Sequence, residues 1–227
     1  MELKQLRENE RRAGREGRRE QMVCAAFDCF CKKGIAGTSI ADIAREAELG
    51  EATVYRYFTN KETLALACGE LFWRMVSDFM EQETHAPDFS EKSGMEQVEA
   101  LIGRAHDFYR DNTAAFLLIH DLDGILLSGK VEREQMHGYE RAVDGVRPIL
   151  CDAIEKGKAD GSIAAEADTQ VLYYALTNGI FSLMQKLAAA GNLLKSDASV
   201  GQEAKLAQFL ELLTAGIKAV YGKDEGA

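Results

Sequence analysis

The stretch Thr38–Leu64, TSIADIAREAELGEATVYRYFTNKETL, decides the fold. Ser39 with Asp42 three residues on has the pattern of a capping box, which opens a short helix. Ile40, Ile43 and Ala44 face inward along it, and Ala47 closes the pattern. Glu48-Leu49-Gly50 forms a tight turn, and Gly50 starts a third helix over Glu51–Phe58, with Val54 and Phe58 toward a small core. Thr59 with Glu62 offers another capping box, ahead of a long fourth helix from about Lys61 to Gln82. Two short helices around a tight turn, presenting small and aromatic polar side chains, are a means of laying a rod into the DNA major groove.

Outward from this stretch, the chain reads as helices throughout. Upstream, Met22, Val23, Ala26, Phe27 and Phe30 recur at helical spacing and predict a helix over Arg18–Lys33 with one buried face, ended by Gly34. Residues 1–17 are charged and either extend that helix or form a mobile arm. The arginines at 11, 12, 15, 18 and 19 suit a minor-groove arm or an approach to phosphates. The interleaved Glu8, Glu10, Glu16 and Glu20 suit a solvated charged helix equally. Downstream, Ser93 and Glu96 cap a helix to about Tyr109, Asp111-Asn112 breaks it, and another covers about Thr113–Leu127. A long helix over about Val131–Lys158 contains Pro148, which removes one backbone bond and predicts a kink. Asp168 caps a helix to about Ala190, and Ser199 with Gln202 caps a last one ending near Tyr221-Gly222. The expectation is therefore all-α: a three-helix helix-turn-helix DNA-binding domain over residues 1–64, then a six-helix domain over residues 65–227.

Composition agrees. The chain has 227 residues, 46% of them hydrophobic, and only two prolines, so it has ample core and few helix breakers. The formal net charge of −10 is unevenly spread. Residues 1–64 hold 12 Lys+Arg against 11 Asp+Glu, whereas the remainder holds 15 against 26. An acidic body repels DNA everywhere except through the intended face, or simply keeps the protein soluble. No stretch approaches the roughly 18 apolar residues of a membrane span, and the N-terminus lacks the apolar core of a signal peptide, so the expected location is cytoplasmic. Cys24, Cys29 and Cys31 share one predicted helix, Cys68 and Cys151 lie apart, and no CxxC pair occurs. Buried free thiols are expected. Nucleophile elbow, phosphate loop and metal motif are all missing, which argues against an enzyme. His120, Asp121 and Asp123 do not converge on a metal from one helix, and no cofactor is implied.

The matching pattern Ala25-Ala26, Phe30, Gly34, Thr38, Ile43-Ala44, Ala47, Thr53, Tyr55, Phe58, Lys61 and Leu64 resembles, in order and spacing, the N-terminal domain of the TetR family of bacterial transcriptional regulators. The resemblance covers Arg18–Leu64. It implies that the third helix lies in the major groove of a double-stranded DNA operator. Thr38 or Ser39, Tyr55, Tyr57 and Lys61 would then hold phosphates. Glu51, Ala52 and Thr53 would face base edges, and Arg56 would read guanine or clamp a phosphate. Two positions depart from the family pattern: Glu48 stands where Gly is usual in the turn, and Gly50 where Ser usually caps the recognition helix.

For the body, the resemblance implies a small-molecule pocket between the middle helices and a homodimer through the last two. Candidate pocket residues are Phe72, Val76, Ile102, His106, Tyr109, Phe116, His120, Tyr139, Arg147, Tyr173 and Thr177. Aromatic stripes at this spacing also build plain core. The polar members carry more weight, because a buried polar group needs a partner and a ligand can be one. In the eighth predicted helix Ala175, Gly179 and Ser182 make a small-residue line that suits either a dimer seam or internal packing. The implied mechanism is a ligand-responsive regulator, a repressor in the usual case, gripping a near-palindromic operator as a dimer. The alternative is a helix-turn-helix protein that has lost operator binding and serves as a protein-interaction module.

Overall fold

The computed structural model describes residues 2–191 and 193–222, and all their side chains except those of residues 2–4 and 6–10, which include Glu8 and Glu10. Eight α-helices and two short 3₁₀ turns account for nearly all of it: α1 (Glu2–Gly37), α2 (Ile40–Glu46), α3 (Glu51–Tyr57), α4 (Lys61–Thr84), α5 (Gly94–Leu127), α6 (Arg133–Asp160), α7 (Thr169–Ala190) and α8 (Gln202–Tyr221). The fold is all-α. A lone antiparallel bridge joins Ile163 to Gly222.

The N-terminal charged segment extends α1 rather than leaving it as an arm. At Gly34 the helix breaks with φ of 72° and ψ of 163°, a region of backbone space that essentially only glycine enters. Ser39 caps α2 in the predicted capping box, its hydroxyl accepting from Asp42 N and the Asp42 carboxylate accepting from Ser39 N. Ser93 and Glu96 make the same box on α5, and Asp168 accepts from Gln170 N and Val171 N on α7.

Three features differ from expectation. The cap of α4 is Asn60 with Thr63, not Thr59 with Glu62, because the extended Asn60 aims its carbonyl at Thr63 N, 2.8 Å away. The cap of α8 is Gly201. The Ser199 hydroxyl is spent on Ser196 O inside its own 3₁₀ turn. The two helices expected on either side of Asp111-Asn112 are one, α5, bent at Asn112 (φ −131°). There Asn112 Nδ2 donates to Phe108 O and Thr113 Oγ1 to Tyr109 O, which supplies carbonyls that the bend would otherwise orphan. As expected, Pro148 lies inside one long helix, α6.

Helix α4 is the spine. It packs on α1 at one end and on α5 and α6 along its length, while α7 and α8 close over α5. Phe72 is fully buried, at the hub of edge-on contacts with Phe108 and Phe116. Where α5 begins against α6, Gly94 lies on Gly157 so closely that a methyl on Gly94 would strike the α6 backbone, while one on Gly157 would strike Ile163. Gly94 N donates to Asp160 Oδ2 and Met95 N to Ser162 Oγ, so the α6 end and the loop after it cap α5.

Candidate functional site

The helix-turn-helix unit is built around buried Phe30, Ile43, Ala44, Ala47, Val54 and Phe58. The turn runs through Glu48, which has φ of 54° and is the one non-glycine residue at positive φ among those described. Leu49 N donates to Ala44 O and closes the end of α2. Gly50 precedes α3 without a side-chain cap. Lys61 on α4 reaches back and donates through Nζ to Ile35 O (2.7 Å) and Thr38 O (3.0 Å). An ammonium on the last carbonyls of α1 suits the negative end of that helix. Gln21 Nε2 ties α1 to Ala47 O at the turn.

This frame sorts the nine side chains read as DNA-binding. Glu51, Ala52, Tyr55 and Arg56 are exposed on α3, with Thr53 and Tyr57 half-buried beside them. Ser39 is exposed and engaged with Asp42, whose carboxyl is held well below its ordinary range by Ser39, Lys33 and Arg45. Thr38 is different. It is buried, and its hydroxyl donates to Gly34 O (2.8 Å) and Cys29 O (3.2 Å). That hydroxyl stitches the glycine break rather than facing solvent. The α1 extension adds a cluster the motif does not contain. Arg11, Arg15 and Arg18 stand at i, i+4 and i+7 on one face, and with Arg56 and Tyr57 they line an open cleft. The Arg15 and Arg56 guanidiniums lie 5.9 and 5.6 Å from the Tyr57 ring centre. Arg12 and Arg19 are spent elsewhere, on Glu16 and on Glu70 and the Phe58 ring.

Two adjoining cavities lie in the body. One, of about 60 Å³, is walled almost wholly by carbon, from Val76, Phe79, Leu101, Ile102, Ile180 and Met184. Its neighbour, of about 270 Å³, is lined by Trp73, Asp123, Tyr139, Tyr174, Asn178 and Gln185 among others. Val146, Tyr173, Thr177 and Phe181 belong to both walls. Asp123 Oδ2 accepts from Gln185 Nε2 at 2.7 Å, and burial raises its pKa against that hydrogen bond and the nearby His120. Burial pushes Tyr139 and Tyr173 up to about 12. The Trp73 indole nitrogen is buried with no partner in hydrogen-bonding geometry among the described residues.

Residues 23–68 match the family described as bacterial regulatory proteins, tetR family. That segment is a TetR-type N-terminal domain. A fatty acid metabolism regulator protein of Bacillus subtilis (strain 168) is 24% identical over 157 residues, 67% of this chain and 76% of that one. The HTH-type transcriptional repressor KstR2 of Mycolicibacterium smegmatis is 22% identical over 205 residues, 90% of this chain and 93% of the repressor. Among solved structures, the Bacillus subtilis regulator FadR in complex with stearoyl-CoA superposes with a TM-score of 0.64 at 20% identity, covering 87% of this chain and 98% of FadR. These relatives are named as transcriptional regulators, not as enzymes.

In the body, Val76, Ile102, Tyr139, Tyr173 and Thr177 of the expected pocket set line the cavities. Phe72, Tyr109 and Phe116 are sealed in the aromatic core instead, and the Tyr109 hydroxyl donates to Gln202 Oε1. His120 is exposed, His106 lies 3.9 Å from Asp107, and Arg147 interacts with Cys151, so none of these three lines either cavity. Sequence reading missed Trp73 and Asp123 as polar lining. A lone acid at helical spacing from inward apolar residues was the available signal, but Asp123 was read only as a poor metal ligand. The thiols divide: Cys29 and Cys68 are buried, Cys31 and Cys151 are partly covered, and Cys24 is exposed, against the expectation of burial. Burial holds the Cys31 thiol up at about 11 and Cys68 well above its ordinary value. No described helix is long and apolar enough to cross a membrane.

Proposed function

We propose that this protein is a ligand-responsive repressor that binds a near-palindromic operator as a homodimer and is released by a small molecule. In this reading residues 1–64 are the DNA-binding domain and residues 65–227 the ligand-binding and dimerisation domain. The observation that carries it is the double duty of α4. Its first residue, Lys61, holds the end of α1, while Trp73, about 18 Å further along the helix, walls the larger cavity and Val76, one turn on, the smaller. A ligand that prefers one position of α4 thereby sets the spacing of two recognition helices, provided it binds the released state better.

Exposed Glu51, Ala52 and Tyr55 offer base and phosphate contacts, and Thr53 and Tyr57 flank them. The company of Arg11, Arg15 and Arg18 favours a phosphate clamp over a guanine reader for Arg56. Lys61 and Ser39 act beside them at the backbone. A dimer through α7 and α8 is supported by Val171, Tyr174, Leu212 and Val220, all large, apolar and exposed there. A relative named for fatty acid metabolism and a fold neighbour holding stearoyl-CoA support a ligand with an apolar part.

Selection from a randomised DNA pool at fixed, moderate salt tests the reading. Enrichment of a palindrome with half-sites about one helical turn apart is expected. Replacing Arg11, Arg15 and Arg18 by Gln should weaken every sequence alike and flatten the salt dependence, by about 0.9 in log–log slope for each phosphate no longer neutralised. Weak binding without any enriched motif would instead favour the protein-interaction module.

A further inference from the structure

The larger of the two adjoining cavities has a definite electrostatic character. Asp123 is the only formally charged side chain lining either cavity; no Lys, Arg or His of the described residues joins it. Its carboxyl takes one hydrogen bond, from the neutral amide of Gln185, and no ion pair within 4 Å among the described residues. The nearest basic group on its own helix, His120, is solvent-exposed and outside the lining. A half-buried carboxylate without a cation is costly to keep, and the cost falls when a cation arrives. Five aromatic rings stand in the same wall: Trp73, Tyr139, Tyr173, Tyr174 and Phe181. Their faces attract a cation within about 6 Å of a ring centre, more strongly where water is excluded. The carbon-lined slot opens alongside, through Val146, Thr177 and Phe181.

We infer that this crevice binds a small organic cation with an apolar body, a lipophilic amine or quaternary ammonium, whose charge pairs with Asp123 and whose alkyl or aryl part enters the neighbouring slot. An anionic head is disfavoured on the same ground, since it would be desolvated beside a carboxylate with no basic side chain to receive it. Carboxylates and acyl thioesters of phosphorylated carriers are thus the wrong charge for this cavity. Its volumes, about 270 and 60 Å³, sit at the small end of the ~300–1,000 Å³ usual for ligand sites, which again favours a compact ligand. The inference rests on the body being the ligand domain, and deepens that reading by naming the ligand's charge.

Trp73 is the only tryptophan of the chain and stands in the crevice wall, so its fluorescence reports occupancy without DNA. The full-length protein is titrated with octyltrimethylammonium, 1-octanol and octanoate, which share a tail and differ in charge. Saturable change with the cation is expected, at least tenfold tighter than with octanoate. Asp123→Asn, whose helical content is checked by circular dichroism, should bring the cation and the alcohol to within about twofold of each other. Equal or tighter binding of octanoate overturns the inference, as does a cation preference that survives Asp123→Asn, or no saturable signal with any of the three. None of these outcomes touches the DNA selection above. A failed ligand assignment therefore stays distinguishable from a failed regulator reading.

Discussion

Glu48 carries a strain that the family pattern avoids. Its φ of 54° places a Cβ where glycine is at ease, at a cost of order 1 kcal/mol. Glu48→Gly is expected to raise stability by up to about 1 kcal/mol, or a few degrees in Tm for a chain this size. It also removes an exposed negative charge from beside α3, so DNA affinity should rise for all sequences together. Thermal melts and salt-dependent DNA titrations read the two effects separately. Asp42 makes the opposite case, a residue whose charge supports local structure. Its carboxyl accepts from the Ser39 hydroxyl and backbone and pairs with Lys33 and Arg45, which hold its pKa below the ordinary 3.8. A depressed folded pKa contributes stability that is present above the unfolded value and lost as pH falls through the folded one. Asp42→Asn should therefore leave the unfolding curve less steep below about pH 4 than in the parent, measured by acid titration of helicity. Both positions were legible from local sequence rules, since turn geometry and capping boxes act over three or four residues. Thr38 was not. Its residue type suits a phosphate contact, and only the fold reveals that Gly34 O and Cys29 O take its hydroxyl.

Elements were legible where periodicity was long and misjudged where a break had to be weighed against continuity. Asp111-Asn112 looks like a stop, yet α5 passes through it because Asn112 and Thr113 return hydrogen bonds to the preceding turn. Pro148, by contrast, was read inside one long helix, and at 28 residues that helix loses one bond without ending. The capping residues of α4 and α8 were each missed by a residue or two, which is the ordinary uncertainty where several Ser, Thr and Asn crowd one boundary. The crossing of α5 and α6 was invisible, because nothing in the sequence pairs Gly94 with Gly157, 63 positions apart. That crossing is backbone on backbone, with Gly157 in turn covered by Ile163. Gly94→Ala is expected to cost about 1–3 kcal/mol by overpacking, beyond any gain in helix propensity. A matched control, Gly103→Ala, has open space around it and should stabilise α5 by up to about 1 kcal/mol. Chemical denaturation of the two variants decides whether close approach or mere composition accounts for the glycines of α5.

At the scale of the whole molecule, one turn of α5 faces both ends of the regulator. Asp123 lines the polar cavity, Leu122 is fully buried against α4 at Gly69, and Asp121 accepts from Ile35 N at 3.2 Å, just after the Gly34 break in α1. Movement of this turn is thus shared between the cavity wall and the base of the DNA-binding unit, in parallel with α4. Spatial continuity alone is not coupling, so the claim needs a variant that separates binding from response. Asp121→Ala removes the acceptor for Ile35 N and leaves every cavity-lining side chain in place. Ligand affinity reported by Trp73 should then change by less than about twofold. The drop in DNA affinity that ligand produces, ordinarily about 5- to 150-fold for a coupling of 1–3 kcal/mol, should shrink markedly. Measuring DNA affinity with and without saturating octyltrimethylammonium, in parent and variant, closes the thermodynamic cycle. An undiminished response in Asp121→Ala would route the signal through α4 alone, by way of Trp73, Gly69 and the Lys61 grip on the end of α1.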